Sequence, residues 1–288
     1  MANLESIFLM ASLAGVVVSI LFAVFSSVSS RRSSARFSTA EKSGSQTASE
    51  LPKSGLLITT KVLIALSLLF VTLTLVFRVI QTGHGPFSNM YEFALSYVWG
   101  IIVMVVIFEW RYKAAAVRNV GLIVTLLLLI FATVKNARPQ PLVPALQQST
   151  LLSIHVASAV LAYGIFTISF GAAVLLLIQN RRSMVWLPDK EILDVISYRS
   201  VVIGFPLLTL TIVLGAVWAD IAWGRFWSWD PKETSSLVTW LIYAVYIHAR
   251  LMRGWKGIKA AIVLVAGFVA ILLTFFGNYI FTGLHAYR

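Results

Sequence analysis

The sequence contains no cysteine among its 288 residues. Disulfide bonds, thiolate metal sites and catalysis by a thiol are therefore excluded. Charged residues are also scarce, at 12% of the chain, and only 11 residues are Asp or Glu. A soluble domain of this size needs a surface that water can wet, and this composition does not supply one.

Apolar residues are correspondingly abundant. They make up 59% of the chain and raise its mean hydropathy to +0.87. Eight apolar runs approach the length of about 20 residues that a helix needs to cross a bilayer. We predict an all-α, polytopic membrane protein with about eight transmembrane helices, at residues 4–26, 56–80, 91–109, 119–135, 151–179, 200–221, 235–251 and 259–281.

The net charge of +12 does not indicate binding to nucleic acid. The bases are spread over short loops between the apolar runs, as in membrane proteins surrounded by lipid. One alternate set of loops holds 16 bases, and the other set with the C-terminus holds five. This asymmetry predicts that the first set is cytoplasmic and that both chain termini lie outside. The cytoplasmic set is 27–55, 110–118, 180–199 and 250–259.

Three segments outside the apolar runs have patterns of their own. Segment 27–55 is Ser-rich, which predicts a flexible cytoplasmic loop, and with the first helix it forms an anchor unit at 1–55. Bases follow that helix directly, so we predict that it is not a cleavable signal peptide. Segment 188–199 has an apolar stripe and predicts a short helix on the inner surface. Segment 136–150 contains three prolines and predicts an extended chain.

The segment 222–236, called here the tryptophan-rich segment, is short and polar between two long apolar runs. One indole near a membrane interface is ordinary, because indoles prefer the headgroup level. Three indoles in one Gly-containing loop offer a flat, electron-rich platform for a large conjugated ligand. We predict that this segment binds a flat and partly charged molecule. Its indoles are Trp223, Trp227 and Trp229, and its charged residues are Arg225, Asp230, Lys232 and Glu233.

The acids of this segment have a second interpretation. Asp230 followed by Pro231 and then Glu233 is a pattern typical of a helix start, with a capping carboxylate and a proline in the first turn. Both acids therefore serve either as caps alone or also at a binding site, and the sequence favours neither. In both cases the positive end of the seventh helix lies beside the tryptophans.

Only four histidines are present. His155 lies near the outer end of the fifth helix and His285 just beyond the outer end of the eighth, so both flank the tryptophan-rich segment. A single histidine at such a place is commonly a hydrogen-bonded surface group. Two of them beside an indole platform favour ligation of heme iron, since imidazole is a common heme ligand.

The other two histidines differ in depth. His248 lies 18 residues after Asp230, or about 27 Å along a helix, which places it at the inner side of the hydrocarbon. An ionisable residue there is a functional candidate, although a position at the headgroup boundary is an equal alternative. His84, between two glycines, is interpreted as a turn residue.

Several motifs together resemble one protein family. The tryptophan-rich segment is similar to the WWD signature of heme-handling membrane proteins, in the form found in the CcsA/ResC branch of system II cytochrome c biogenesis and not in the CcmC or CcmF branches. The resemblance covers residues 56–288, except that Ser235 and Ser236 stand where members often have Trp. The other matching stretches are 83–92, 153–156, 193–199, 204–206, 246–248 and 283–287, with Tyr163.

The resemblance implies a function. Family members hold heme at an external site and join it covalently to apocytochrome c, as a cytochrome c heme lyase. It implies that His155 and His285 are the axial ligands, with His248 a transmembrane heme ligand whose counterpart comes from a separate CcsB/ResB-type partner. The implied lining of the external site, which would also position the reaction, is Trp223, Trp227, Trp229 and Asp230. We add that Arg225 or Lys232 pairs with a propionate of heme b.

Two other functions remain open at this point. A heme exporter or chaperone would use the same residues without ligation, and a structural membrane subunit would bind no heme. The expected location is the bacterial plasma membrane, or the thylakoid membrane in a plastid, with the tryptophan-rich segment on the outer face.

Overall fold

The structure is a computed structural model that describes residues 2–41, 53–135, 138, 149–280 and 283. Within these residues the chain forms eight α-helices and no strand, which confirms the predicted all-α membrane fold. Seven of the helices, all except α7, are long and apolar enough to cross a membrane. The helices are α1 (Ala2–Glu41), α2 (Lys53–Thr82), α3 (Met90–Tyr112), α4 (Ala115–Thr133), α5 (Ser149–Arg181), α6 (Lys190–Trp223), α7 (Pro231–Arg253) and α8 (Ile258–Ile280).

Helices α3 and α5 form the centre of the bundle and are its most buried membrane helices. Two glycines let their backbones approach closely. A Cβ atom on Gly100 would lie 2.6 Å from the Val160 carbonyl oxygen, and one on Gly164 would lie 2.6 Å from the Gly100 oxygen. Small residues at such crossings are typical of membrane helix pairs. The crossing brings Tyr97 and Tyr163 edge to face, with ring centroids 5.8 Å apart.

Stacked aromatic rings fill the interior between α5 and the last two helices. Phe166 of α5 stacks on Tyr243 of α7 with centroids 3.8 Å apart. One turn further along α5, Phe170 stacks on Phe268 of α8 at 4.1 Å. These stacked ring pairs contribute to the packing of α5 against α7 and α8.

A buried ion cluster joins α1, α2 and α3 at the end of the bundle where α3 begins. The Arg78 guanidinium is fully buried, 2.7 Å from a Glu92 carboxylate oxygen and 3.6 Å from one of Glu5. The Tyr91 hydroxyl donates to Glu5, and Ser88 donates to Glu92 from both its backbone nitrogen and its hydroxyl. Buried charges persist only when they are paired and hydrogen-bonded, and this cluster meets that condition.

The predicted helix at 188–199 is helical but is not a separate element. Helix α6 begins at Lys190 and continues for 34 residues to Trp223, through Pro206. Its length of about 51 Å exceeds the hydrocarbon thickness of about 30 Å. Asp194, in its second turn, accepts two hydrogen bonds from Arg250 and one from the Gly257 nitrogen. These hydrogen bonds attach the first turns of α6 to the last turn of α7 and to the loop that follows it.

Two further predicted segments fall partly outside the described residues. The prediction of a flexible loop at 27–55 is wrong for its first part, because α1 continues to Glu41. No proline or glycine interrupts the chain between Val28 and Glu41, so nothing local ends the helix. Residues 42–52 and most of the predicted extended segment 136–150 lie outside the described residues.

Candidate functional site

A cleft opens between α3, α5, α6 and α8 beside the start of α7. Cofactor and ligand sites in proteins are lined mainly by apolar and aromatic side chains. The cleft fits that description, with an aromatic lining of Phe93, Tyr97, Tyr163, Phe226, Trp227 and Phe275.

His155 lines this cleft from α5 and is half-buried. Its Nδ1 lies 2.8 Å from the Thr211 carbonyl oxygen of α6. A carbonyl oxygen only accepts, so Nδ1 carries the proton and the lone pair of the neutral ring lies on Nε2. Histidines that bind metals commonly donate their other ring nitrogen in this way, which fixes both tautomer and ring orientation.

The space for this imidazole comes from Gly215, one helical turn after Thr211. A Cβ atom at position 215 would lie 2.8 Å from Cε1 and 3.2 Å from Nδ1 of His155. Such distances are shorter than carbon contacts allow, so any larger residue displaces the ring. Thr211 and Gly215 thus act together, one by holding the imidazole and the other by making room for it.

We expect Gly215→Ala to weaken a metal-centred ligand in the cleft by about tenfold, because disturbing the support of a ligating histidine typically lowers metal affinity by 10–100-fold. The measurement is a titration of hemin into the purified chain followed by absorption. Gly277→Ala is the matched control, since a Cβ there meets nothing within 4 Å. Equal hemin affinity in the two variants would contradict the role given to Gly215.

The tryptophan-rich segment places its three predicted indoles differently. Helix α6 ends after Trp223, whose ring packs edge to face on Trp218 with centroids 4.8 Å apart, and neither ring is among the described lining residues of the cleft. Trp227 lines the cleft itself. Trp229 is 70% exposed, has a left-handed backbone with φ of 59°, and meets Trp227 at a right angle. Trp227 is therefore the indole of the three that the structure brings into the cleft lining.

The two acids of the segment form the predicted capping box. Asp230 accepts from the Lys232 nitrogen at 2.9 Å, and Glu233 accepts from the Asp230 nitrogen at 3.2 Å. The Glu233 carboxylate also accepts a hydrogen bond from the backbone nitrogen of Ser228, at 2.8 Å. Both carboxylates are thus engaged in holding the loop against the first turn of α7, which satisfies backbone donors that would otherwise lack partners.

The two bases of the segment lie in different surroundings. Lys232 lines the cleft, with its ammonium 4.9 Å from the centre of the Phe93 ring. It belongs to the first turn of α7, before the apolar run 235–251. Burial lowers the pKa of the Lys232 ammonium to about 8, and the Asp230 carboxylate opposes part of that shift. Arg225 is exposed and is not among the lining residues.

The remaining predicted histidines are spread over the molecule. His285 lies outside the described residues, but Gly283 packs so closely on Asp230 that a Cβ atom there would overlap its carboxylate. His248 is exposed on the surface of α7, away from the cleft lining. His84 lies in the turn before α3, as predicted, with Nδ1 2.8 Å from the Gly85 oxygen.

Sequence reasoning missed the residues that complete the site from other helices. Phe93, Thr211 and Gly215 were not singled out, although Thr211 and Gly215 share one helical face at a spacing of four residues. A glycine inside an apolar helix is unfavourable by about 1 kcal/mol relative to alanine, so its presence signals a packing or functional reason. That signal was available for Gly215 but did not identify the histidine that it accommodates.

The bundle and the cleft define a polytopic membrane protein with an aromatic-lined cleft that includes one histidine among its described lining residues. The family model described as Cytochrome C assembly protein matches residues 87–285. The chain belongs to the cytochrome c assembly protein family and has its role in cytochrome c biogenesis.

Similar curated proteins support this assignment over most of the chain. A protein named Cytochrome c biogenesis protein CcsA from Prochlorococcus marinus (strain NATL2A) is 37% identical over 78% of this chain and 83% of its own length. The CcsA protein of strain MIT 9515 is 36% identical over 76% and 80%. The CcsA protein of Chlamydomonas reinhardtii is 36% identical over 79% and 67%.

Proposed function

We propose that this chain holds heme b in the cleft, on the outer face of the membrane, and promotes its attachment to the Cys-x-x-Cys-His motif of apocytochrome c. The observation that carries the proposal is the position and orientation of the His155 imidazole. Its Nδ1 donates to the Thr211 carbonyl, and the ring lines a cleft whose other walls are largely aromatic. In a member of the cytochrome c assembly family, that arrangement is best explained as a heme ligand.

The second axial ligand in this proposal is His285. Gly283 packs against Asp230 at the start of α7, and two residues of chain reach at most about 7 Å further. Asp230 lies two residues before the cleft-lining Lys232, and this contact of Gly283 supports the proposal. Two imidazoles would make the iron six-coordinate.

The aromatic residues of the site would hold the faces of the porphyrin. Trp227 and Phe226 line the cleft from the loop, and Phe93 lines it from α3. Trp229 and Asp230 belong to the same proposed site as supports of the loop, since they contact Trp227 and Lys232. Trp223 is included as the residue from which the loop leaves α6, where its ring packs on Trp218. Heme, when bound, supplies two vinyl groups as the electrophilic carbons of the reaction.

The chain contributes mainly by positioning. Each thiol of the apocytochrome motif adds its sulfur to one vinyl carbon and a hydrogen to the other, so the step balances without an oxidant. Holding two reactants in the correct geometry supplies about 7–11 kcal/mol of a barrier. The Asp230 and Glu233 carboxylates already accept backbone hydrogen bonds, and we propose that the reaction requires no general base from the loop.

His248 is assigned a separate role, as a transmembrane heme ligand near the cytoplasmic side. Its exposure on α7 leaves the ring accessible to a second protein. We propose that a CcsB/ResB-type partner supplies the counterpart ligand there. The membrane would be the bacterial plasma membrane, or the thylakoid membrane in a plastid. The excess of bases in alternate loops supports the outer location of the cleft.

The first test is an absorption spectrum of the purified, reduced chain, with and without a CcsB-type partner. We expect the spectrum of six-coordinate, low-spin heme in the complex. Colourless protein in both preparations would contradict the proposal and leave the structural role.

The second test concerns ligation. The complex is coexpressed with an apocytochrome c that carries the Cys-x-x-Cys-His motif, and the product is examined for heme that survives denaturation. Thioether-linked heme is the expected result. Heme in the membrane complex without linked product would instead identify an exporter or chaperone.

A further inference from the structure

The cleft lining contains few charged side chains, and these differ in how far they are already hydrogen-bonded. Among the described lining residues, Lys232 is the cation and Glu233 the anion. The Glu233 carboxylate accepts hydrogen bonds from the backbone nitrogens of Ser228 and Asp230 and from the Ser228 hydroxyl. Its charge is therefore committed to the loop, and the other described lining residues offer no anion to pair with Lys232.

The ammonium of Lys232 has no hydrogen-bonding or ion-pair partner within the described part of the chain. Its recorded contact is with the ring of Phe93, 4.9 Å from the nitrogen. A cation over a ring face is stabilised only modestly, and the nearby Asp230 carboxylate offsets only part of the cost of removing the ammonium from water. The positive end of the α7 dipole lies in the same turn and further favours a negative ligand.

Arg225 is the other base of the loop and provides a direct comparison. It lies on the exposed side of the segment, outside the cleft lining, and no ion pair involves it within the described residues. A cation surrounded by water contributes little to the binding of an anion. The structure therefore separates the two bases that the sequence left equivalent.

We propose that Lys232 forms a carboxylate subsite of the cleft and binds a propionate of the porphyrin, while Arg225 does not. This inference rests on the proposed heme site. Both propionates of heme b lie on one edge of the ring, and that edge is opposite the part of the ring that an incoming thiol must reach. Anchoring a propionate at Lys232 therefore selects one orientation of the ring beneath the loop.

The test uses the full-length chain in lipid nanodiscs, titrated with hemin or with hemin dimethyl ester, which has no free carboxylate. We expect Lys232→Gln to weaken hemin binding by about 10–100-fold, the range for a hydrogen bond to a charged group. The same variant should leave the binding of the ester unchanged. Lys232→Arg should retain most of the hemin affinity, and Arg225→Gln, the matched control, should retain all of it.

The pH dependence of binding gives an independent signature. Without a ligand, the Lys232 ammonium loses its proton as pH rises through its pKa of about 8. Above that pH, Lys232 must take up a proton before it can pair with a carboxylate. Hemin affinity of the wild type should therefore fall by about tenfold between pH 7 and 9.5, and that of Lys232→Gln should not. The other titratable groups around Lys232 are the same in both proteins: Tyr97, His155, Tyr163, Asp230 and Glu233.

The outcomes separate this inference from the proposed function. If Lys232→Gln weakens hemin and its ester equally, the lysine has only a structural role and the inference is overturned. If Lys232→Gln binds hemin as tightly as the wild type does, the inference is overturned as well. A spectrum that still depends on His155 would in that case leave the proposed heme site intact. If the wild type binds neither compound with a His155-dependent spectrum, the proposed function fails and the subsite fails with it.

Discussion

Replacement of His155 by alanine is expected to remove the six-coordinate, low-spin spectrum of the heme-loaded protein and to weaken hemin binding by more than about 100-fold. Loss of a partner that merely supports a metal-ligating histidine already lowers affinity by 10–100-fold, so loss of the ligand itself should exceed that range. The affinity is measured by absorption titration of the reduced and oxidised full-length chain. The effect is large because the ring is held by the Thr211 carbonyl and is the only imidazole among the described lining residues of the cleft.

The control for this variant is His84→Ala, which removes an imidazole from a turn outside the cleft lining. A further variant, His155→Gly with added imidazole, separates loss of a ligand from misfolding, since free imidazole should restore the spectrum. External heme and full ligation activity in a chain lacking both His155 and His285 would show that the ligand assignment is wrong.

The second large effect is expected in the buried ion cluster. Arg78→Met leaves the Glu5 and Glu92 carboxylates inside the bundle without their cation. Removing one partner of a buried ion pair typically lowers the free energy of unfolding by about 3–5 kcal/mol. We expect a marked fall in the thermal unfolding midpoint of the detergent-solubilised chain. Because Met90 and Phe93 flank Glu92 and line the cleft, hemin affinity should fall with it.

Arg225→Met is the matched control, because this exposed base should change stability by no more than about 0.5 kcal/mol. Combining Arg78→Met with Glu92→Gln removes one of the two uncompensated charges and should recover part of the lost stability, since residues in one network are coupled. An unfolding midpoint for Arg78→Met equal to that of the control would exclude a stabilising role for the cluster.

The number and kind of helices were predictable because they depend on local properties. A run of about 20 apolar residues has only one stable form in lipid, since every backbone group must be hydrogen-bonded within the segment, and all the helices except α7 meet that condition. The start of α7 was equally local, because Asp230 and Glu233 meet the backbone donors of their own first turn. The predicted break between the segment 188–199 and the sixth helix was wrong, because α6 runs through both. The hydrogen bonds that its first turns make come from Arg250 and Gly257, which are far away in sequence.

The candidate site was predictable as a list of residue types but not as an arrangement. His155 was identified from its place near the end of a helix, yet Thr211 and Gly215, which hold it and make room for it, lie on another helix. Three indoles were predicted as equals, but the structure leaves Trp229 exposed while Trp227 lines the cleft. His285 lies outside the described residues and stays a prediction.

By itself, the sequence determined that this chain is a helical membrane protein without thiol chemistry, with a capped α7 preceded by indoles and with few histidines. Each of these properties follows from composition or from residues within one or two helical turns of each other. The tertiary structure alone decided which residues share the cleft, which of Arg225 and Lys232 lies inside it, and that Arg78 is buried between two carboxylates. Those decisions depend on how helices distant in sequence pack together, and the pattern of a single helix contains no information about the partner that it will face.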